Sequence, residues 1–375
     1  MTIDYNKLRV RINLKNLCHN YRVFRKIHDR VIPVIKSDAY GHGLTEVSRA
    51  LEVEGADTFA VGFVHEAVKL RKEGCTKRIL ALLGPIEDED IHALWDHAIL
   101  TPISHFAQLR RVAAMAEKKG PLDIGLKFDT GMRRLGFLPE ELDELVAVLQ
   151  SSKLRPVMAT SHLASADVPE HRAHVEGQAA RFQGVLDGLA RAGFKVEANL
   201  ANSAGAVAFE QCRMDSLRMG IALYGGNPFD GTDQADMYPD LVSAMEVTAP
   251  VMQVHPLKAG ESISYGWTYT AERDSVVAVV GVGYADNYSR SLSNTGEMLI
   301  HGKRVPIRGR VCMQMTAVDV TELMGEGRCV APGDEVWLLG GPGPESITPE
   351  DLAGWWGTIT YEVFCLLGMN RREYI

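Results

Sequence analysis

VIPVIKSDAYGHG, residues 31–43, is the stretch on which the fold turns: a short apolar run ends on a lysine and gives way to a glycine-rich loop. Seven further apolar runs follow it, TFAVGF (58–63), RILALLG (78–84), AILTPIS (98–104), LDIGLKFD (122–129), LRPVMATSH (154–162), VEANLANS (196–203) and SLRMGIALYG (216–225). Short apolar runs bounded by turn residues fit strands buried on both faces. Between them lie segments such as EELDELVAVLQ and HVEGQAARFQGVLDGLARAG, whose apolar residues recur at helical spacing. Strands alternating with helices make βαβ units and a parallel sheet, and eight such strands close a (β/α)8 barrel. Catalytic groups of a barrel sit at the C-terminal ends of its strands, which is where Lys36 falls. A lysine so placed can form a Schiff base with pyridoxal phosphate, the plainer alternative being a lysine that simply faces solvent. The small, glycine-rich AYGHG with its phenol is an unusual composition for an ordinary solvent loop.

After about residue 240 the texture changes. VTAPVMQV, SVVAVVGVGYAD, EMLIHGKRVPIRGRVCMQMTAVDV and DEVWLLGG are β-rich and separated by Gly, Pro and Asn turns. In SITPEDLAGWWG, Thr348 can cap a short helix begun by Pro349. The expectation is an α/β protein: an N-terminal (β/α)8 barrel over residues 1–240 and a C-terminal mostly-β domain over 241–375. The early run VRINL, residues 10–14, precedes the eight candidates and is expected to join the β domain.

Composition narrows the function. Of 375 residues, 46% are hydrophobic and 23% charged, and a net charge of −8 arises from 48 acidic against 40 basic residues spread along the chain. No basic block points to nucleic acid, and no apolar run approaches the roughly 20 residues of a membrane span. MTIDYNKLRVRINL carries no apolar h-region, and the six cysteines are scattered singly, so a cytoplasmic protein with reduced thiols is expected. His171 and His174 lie on a polar helix face without further ligands, so no metal site is expected. Gly281 and Gly283 do not extend to a dinucleotide fingerprint, because Asp286 holds the third glycine's place.

IKSDAYGHG, LKFDTGMRRLGF (126–137), SHLASAD (161–167), ANSAG (201–205) and LRMGIALYG (217–225) together resemble the alanine racemase family. So do ISYGWTYTA (263–271), VGYADNYSRSLSNTG (282–296), GKRVPIRGRVCMQ (302–314) and TYEVFC (360–365), in the family's order across almost the whole chain. The resemblance implies pyridoxal 5′-phosphate as cofactor, held covalently by Lys36. It implies phosphate contacts from Tyr40, Ser203, Tyr361 and the backbone amides of Gly220 and Ile221. Arg134 would hold the substrate carboxylate, for which a guanidinium is well shaped, and Lys127 would be carbamylated to hold Arg134. Arg218 would face the pyridine nitrogen; since an arginine keeps its proton, the ring stays unprotonated and is a weaker electron sink. His162, linked to Arg218, would assist Tyr265 as second base. A tyrosine with its ordinary pKa near 10 needs such help at neutral pH. Tyr284 would line the entrance and the Met313 backbone would hold the carboxylate.

Racemisation needs proton removal from one face of the α-carbon and return from the other, which Lys36 and Tyr265 would provide. The expected reaction is L-alanine to D-alanine for peptidoglycan, in a homodimer whose sites each draw on both chains. A serine or broad-specificity racemase is an alternative; a decarboxylase on the same cofactor is a further one, against which Arg218 and Tyr265 speak. Five residues depart from the family pattern: Ser37, Asp38, Met219, Asn287 for glycine, and Gln314 for aspartate.

Overall fold

In the computed structural model, residues 5–237, 240–325 and 329–375 are described. Strand β1, Arg9–Ile12, comes first, and after one helix the eight runs become β2 (Val31–Pro33), β3 (Thr58–Val61), β4 (Arg78–Ala81), β5 (Pro102–Ile103), β6 (Leu122–Lys127), β7 (Leu154–Thr160), β8 (Glu197–Asn199) and β9 (Leu217–Met219). Every neighbouring pair runs parallel. Regular ladders join β3 to β4 and β5 through β8, while single bridges Val34–Ala60, Leu80–Leu100 and Asn199–Ser216 complete the contacts between ladders. β9 then returns to β2 with Val31 opposite Leu217, so the sheet closes on itself as a (β/α)8 barrel.

The strands read as unbroken apolar runs because barrel strands are buried on both faces; β3, for example, is buried at all its residues. The outer helices turn one stripe inward. Helix Arg172–Arg191 buries Val175, Phe182, Val185 and Leu189, at the spacing of one helical face. Gln178 on the same stripe donates to His162 O at 3.0 Å and accepts from Ala164 N at 3.0 Å, so the helix props the loop after β7.

The second sheet is mostly antiparallel. Its axis is β10, Met245–Leu257, which pairs with Ser275–Val280 and with Glu335–Leu339. A register shift between Val251 and Gln253 bends β10 enough to serve both partners. β1 lies antiparallel to β10, with Arg9 opposite Thr248, and parallel to Arg372–Tyr374. Thr348 caps helix Pro349–Trp356 through a bond from Asp351 N at 3.0 Å. No described helix is long and apolar enough to cross a membrane.

Candidate active site

The loop after β2 is the most strained part of the barrel mouth. Ser37, Asp38, Ala39 and Tyr40 all have φ between 52° and 56°, forming a left-handed turn that non-glycine residues visit reluctantly, at roughly 1–2 kcal/mol each. Glycine ends it. Gly41 has φ of 80°, and a side chain there would meet Phe364 O at 2.4 Å. Lys36 stands at the start of the turn with its amine 6.0 Å above the Tyr40 ring. Burial, and then the Arg134 guanidinium, lower the Lys36 pKa, which favours the neutral, nucleophilic amine.

Lys36 opens on a cavity of about 780 Å³ at the C-terminal mouth of the barrel. Tyr40, Ser203 and Tyr361 border it together with Gly220 and Ile221. Ser203 Oγ accepts from Gly220 N at 3.0 Å, and a Cβ on Gly220 would come 3.1 Å from the Tyr40 hydroxyl. Bare backbone and hydroxyl groups thus frame one concave corner. Tyr361 enters from helix Thr360–Leu367, and burial pushes its phenol up to about 12, so it stays a donor.

Arg218, on β9, is buried and immobilised. Its guanidinium donates to Thr160 Oγ1 at 2.8 Å, Ser161 O at 2.6 Å, Leu200 O at 3.2 Å and Asn199 O at 3.3 Å. It also reaches His162 Nδ1 at 3.1 Å. Burial brings Arg218 down to about 10, still charged at neutral pH. Because arginine only donates, His162 Nδ1 must accept and its proton must reside on Nε2. Burial first, then the Arg218 charge, hold the His162 pKa well below the ordinary histidine value.

Lys127 ends β6, and burial followed by the Arg218 and Arg134 charges lowers its pKa strongly. Desolvation and neighbouring cations favour a lysine's neutral amine, the form able to take up carbon dioxide. The adjoining loop is organised by Asp129, whose carboxylate accepts from the backbone N–H groups of Gly131, Arg133 and Arg134 at 2.9–3.1 Å. Arg134 is set at the exposed rim of the same cavity. Asp129 was not singled out from the sequence, although Asp-Thr-Gly is a composition in which the aspartate wraps its own backbone. Glu66 was missed altogether: its carboxylate accepts from Ser37 N at 2.7 Å and Gly62 N at 2.8 Å, and no local pattern announces it.

Three expected site residues lie elsewhere in the chain. Tyr265, Tyr284 and Met313 are 71%, 44% and 58% exposed and do not border the cavity that holds Lys36. They share one surface: Ser264 Oγ donates to Arg310 O at 2.7 Å, and Tyr284 N and Ala285 N donate to Cys312 O and Met313 O at 3.0 and 2.9 Å. Asn287 has φ of 59°, a conformation asparagine tolerates better than most, where the family has glycine.

The chain matches the models for the alanine racemase N-terminal domain over residues 12–228 and C-terminal domain over residues 244–374. The alanine racemase of Nitratidesulfovibrio vulgaris (strain DP4) is 50% identical over 376 residues, covering 100% of this chain and 99% of that protein. The solved alanine racemase from D-cycloserine-producing Streptomyces lavendulae superposes with a TM-score of 0.89 at 31% identity, over 100% of this chain and 98% of that one. The one from Bartonella henselae, with covalently bound pyridoxal phosphate, gives 0.87 at 28% identity, over 98% and 99%.

Proposed function

The chain belongs to the alanine racemase family, and on that premise we propose a two-base racemisation of alanine in which Lys36 serves one face of the α-carbon and Tyr265 of a second subunit the other. Pyridoxal 5′-phosphate is the cofactor. When bound, it makes the substrate's α-hydrogen acidic by drawing electrons into its ring. The residues present suit it. A neutral amine at Lys36 can engage its aldehyde, and the hydroxyls of Tyr40, Ser203 and Tyr361 with the amides of Gly220 and Ile221 form a donor set matched to a phosphate. The Gly220 corner, which a Cβ would fill, leaves room for that anion.

The remaining roles are those that the family's pattern supports. Lys36 Nζ takes or returns the proton on its side. Arg218 would face the cofactor's ring nitrogen as a donor that keeps its own proton, which would restrain electron withdrawal and favour simple reprotonation over side reactions. His162 borders the cavity, and its Nε2–H is the group that would stabilise a deprotonated Tyr265. Arg134 holds the substrate carboxylate, steadied by a carbamylated Lys127; Tyr284 and the Met313 backbone narrow the entrance from the second subunit. The exposure of Tyr265 away from its own chain's cavity is the observation that carries the shared site. A division near residue 240 then separates a cofactor-holding unit from a base-donating one. We further infer a cytoplasmic role in supplying D-alanine for peptidoglycan.

A panel of L-amino acids, incubated with the enzyme and read by chiral chromatography, tests this reading. D-Alanine should dominate the products. Faster turnover of serine would move the enzyme to another substrate.

A further inference from the structure

The left-handed turn between Lys36 and Gly41 needs restraint from outside itself, because four consecutive non-glycine residues do not hold that conformation unaided. Four restraints converge on it. Glu66 Oε1 accepts from Ser37 N at 2.7 Å. The His42 ring nitrogen Nδ1 lies 3.0 Å from Tyr40 O. The backbone of Gly368 packs so closely on Gly41 that a Cβ there would meet Gly41 O at 2.1 Å. The fourth comes from the far end of the chain: Arg372 Nη1 donates to Asp38 Oδ2 at 2.6 Å and to Gly41 O at 3.0 Å, so one guanidinium grips both halves of the turn. The second Asp38 oxygen accepts from Leu44 N at 2.9 Å, tying the turn to the helix that follows.

We propose that Arg372, acting through Asp38, is a positioning residue that holds this turn and thereby aims Lys36 and Tyr40 into the cavity. Arg372 belongs to the strand beside β1, so the second sheet steadies the barrel's catalytic lysine within the same chain. Its side chain is 16% exposed against 41% for Asp38, so the pair is partly shielded and screened less than a surface pair. Burial pushes the Asp38 pKa up, but the Leu44 N–H and Arg372 more than offset this and hold the carboxylate ionised.

The inference rests on the reading that Lys36 carries the cofactor, and the two are tested separately. Borohydride reduction of the wild-type holoenzyme followed by peptide mapping should place the label on Lys36; a label elsewhere sinks that reading whatever Arg372 does. Given the label on Lys36, Arg372→Ala should lower kcat per bound cofactor at least tenfold. KM for alanine should change less than threefold, since Arg134 is set by a different loop. The visible circular dichroism of the bound cofactor should weaken, and cofactor should leave faster on dialysis. A general loss of stability would not alter that dichroism at temperatures where the protein is folded. If Arg372→Ala does not fold, Asp38→Ala removes the same ion pair from its more exposed side and is read in the same way. Wild-type kcat and an unchanged dichroic band in the folded variant overturn the proposal.

Discussion

At the residue scale the cavity is governed by cations that cannot discharge and neighbours that therefore stay neutral. Arg218 fixes the tautomer of His162 and, with burial, keeps it uncharged. Nitrogen-15 spectra of histidine-labelled enzyme should show His162 neutral and protonated on Nε2 at pH 6, where an ordinary histidine is largely charged. A protonated ring at that pH would mean that Arg218 does not contact it. His42 gives a second test with a definite sign. Buried among Tyr224 and Phe364, it resists protonation down to about 3, whereas an unfolded histidine titrates near 6.5. Between those values the unfolded chain binds the extra proton, so stability falls as pH drops below 6.5 and is unaffected above it. His42→Gln should remove about 2 kcal/mol of the stability lost between pH 7 and pH 5, measured by urea unfolding of parent and variant. Equal losses in both would refute the assignment. That Lys36, Arg134 and Arg218 border one cavity was legible because their motifs are contiguous. Glu66 and Arg372 were not, because they act from distant segments on backbone whose shape no local pattern reveals.

Elements were easier to read than their ends. Each barrel run contains its strand because burial on both faces demands continuous apolar residues, yet AILTPIS holds only the short ladder Pro102–Ile103, the rest being turn and bridge. The left-handed turn after Lys36 had no signal, since none of its four residues is glycine and the restraints are tertiary. Strand β10 runs through Pro250 and Pro256, residues that usually mark strand edges; of its two register shifts, the one between Val251 and Gln253 lies between them. The cap at Thr348 was legible as a local rule, and its strength can be measured. Thr348 and Asp351 bond each other's backbone, and Asp351 also accepts from Arg304 at 2.7 Å. Thr348→Ala should cost about 1 kcal/mol of stability in thermal unfolding. Turnover at saturating cofactor should stay near wild type, because the catalytic groups are carried elsewhere; a large drop in kcat would mean that the cap also sets Tyr361.

For the whole molecule, the central expectation is complementation between subunits. Lys36→Ala and Tyr265→Ala should each be nearly inactive alone. In a mixed dimer with shared sites, one site gathers both defects and the other neither. With random exchange half the dimers are mixed and half of their sites intact, so about a quarter of wild-type activity should return. No recovery in mass-verified mixed dimers would show that Tyr265 serves its own chain. The two-part organisation was legible from the change of texture near residue 240, but the geometry that exposes Tyr265 was not, since only tertiary placement decides which cavity a side chain reaches. One further consequence concerns how the chain reaches this state. Most barrel ladders join neighbours in chain order, whereas β1 must find Thr248 across the barrel's entire length of chain before its own ladder can form. Closing so long a loop is entropically slow. The barrel can therefore gather while β10 still has an open flank, and an open strand flank pairs readily with another chain. Refolding yield should fall with protein concentration in that interval, and the seam made by β1 is the step that ends the hazard.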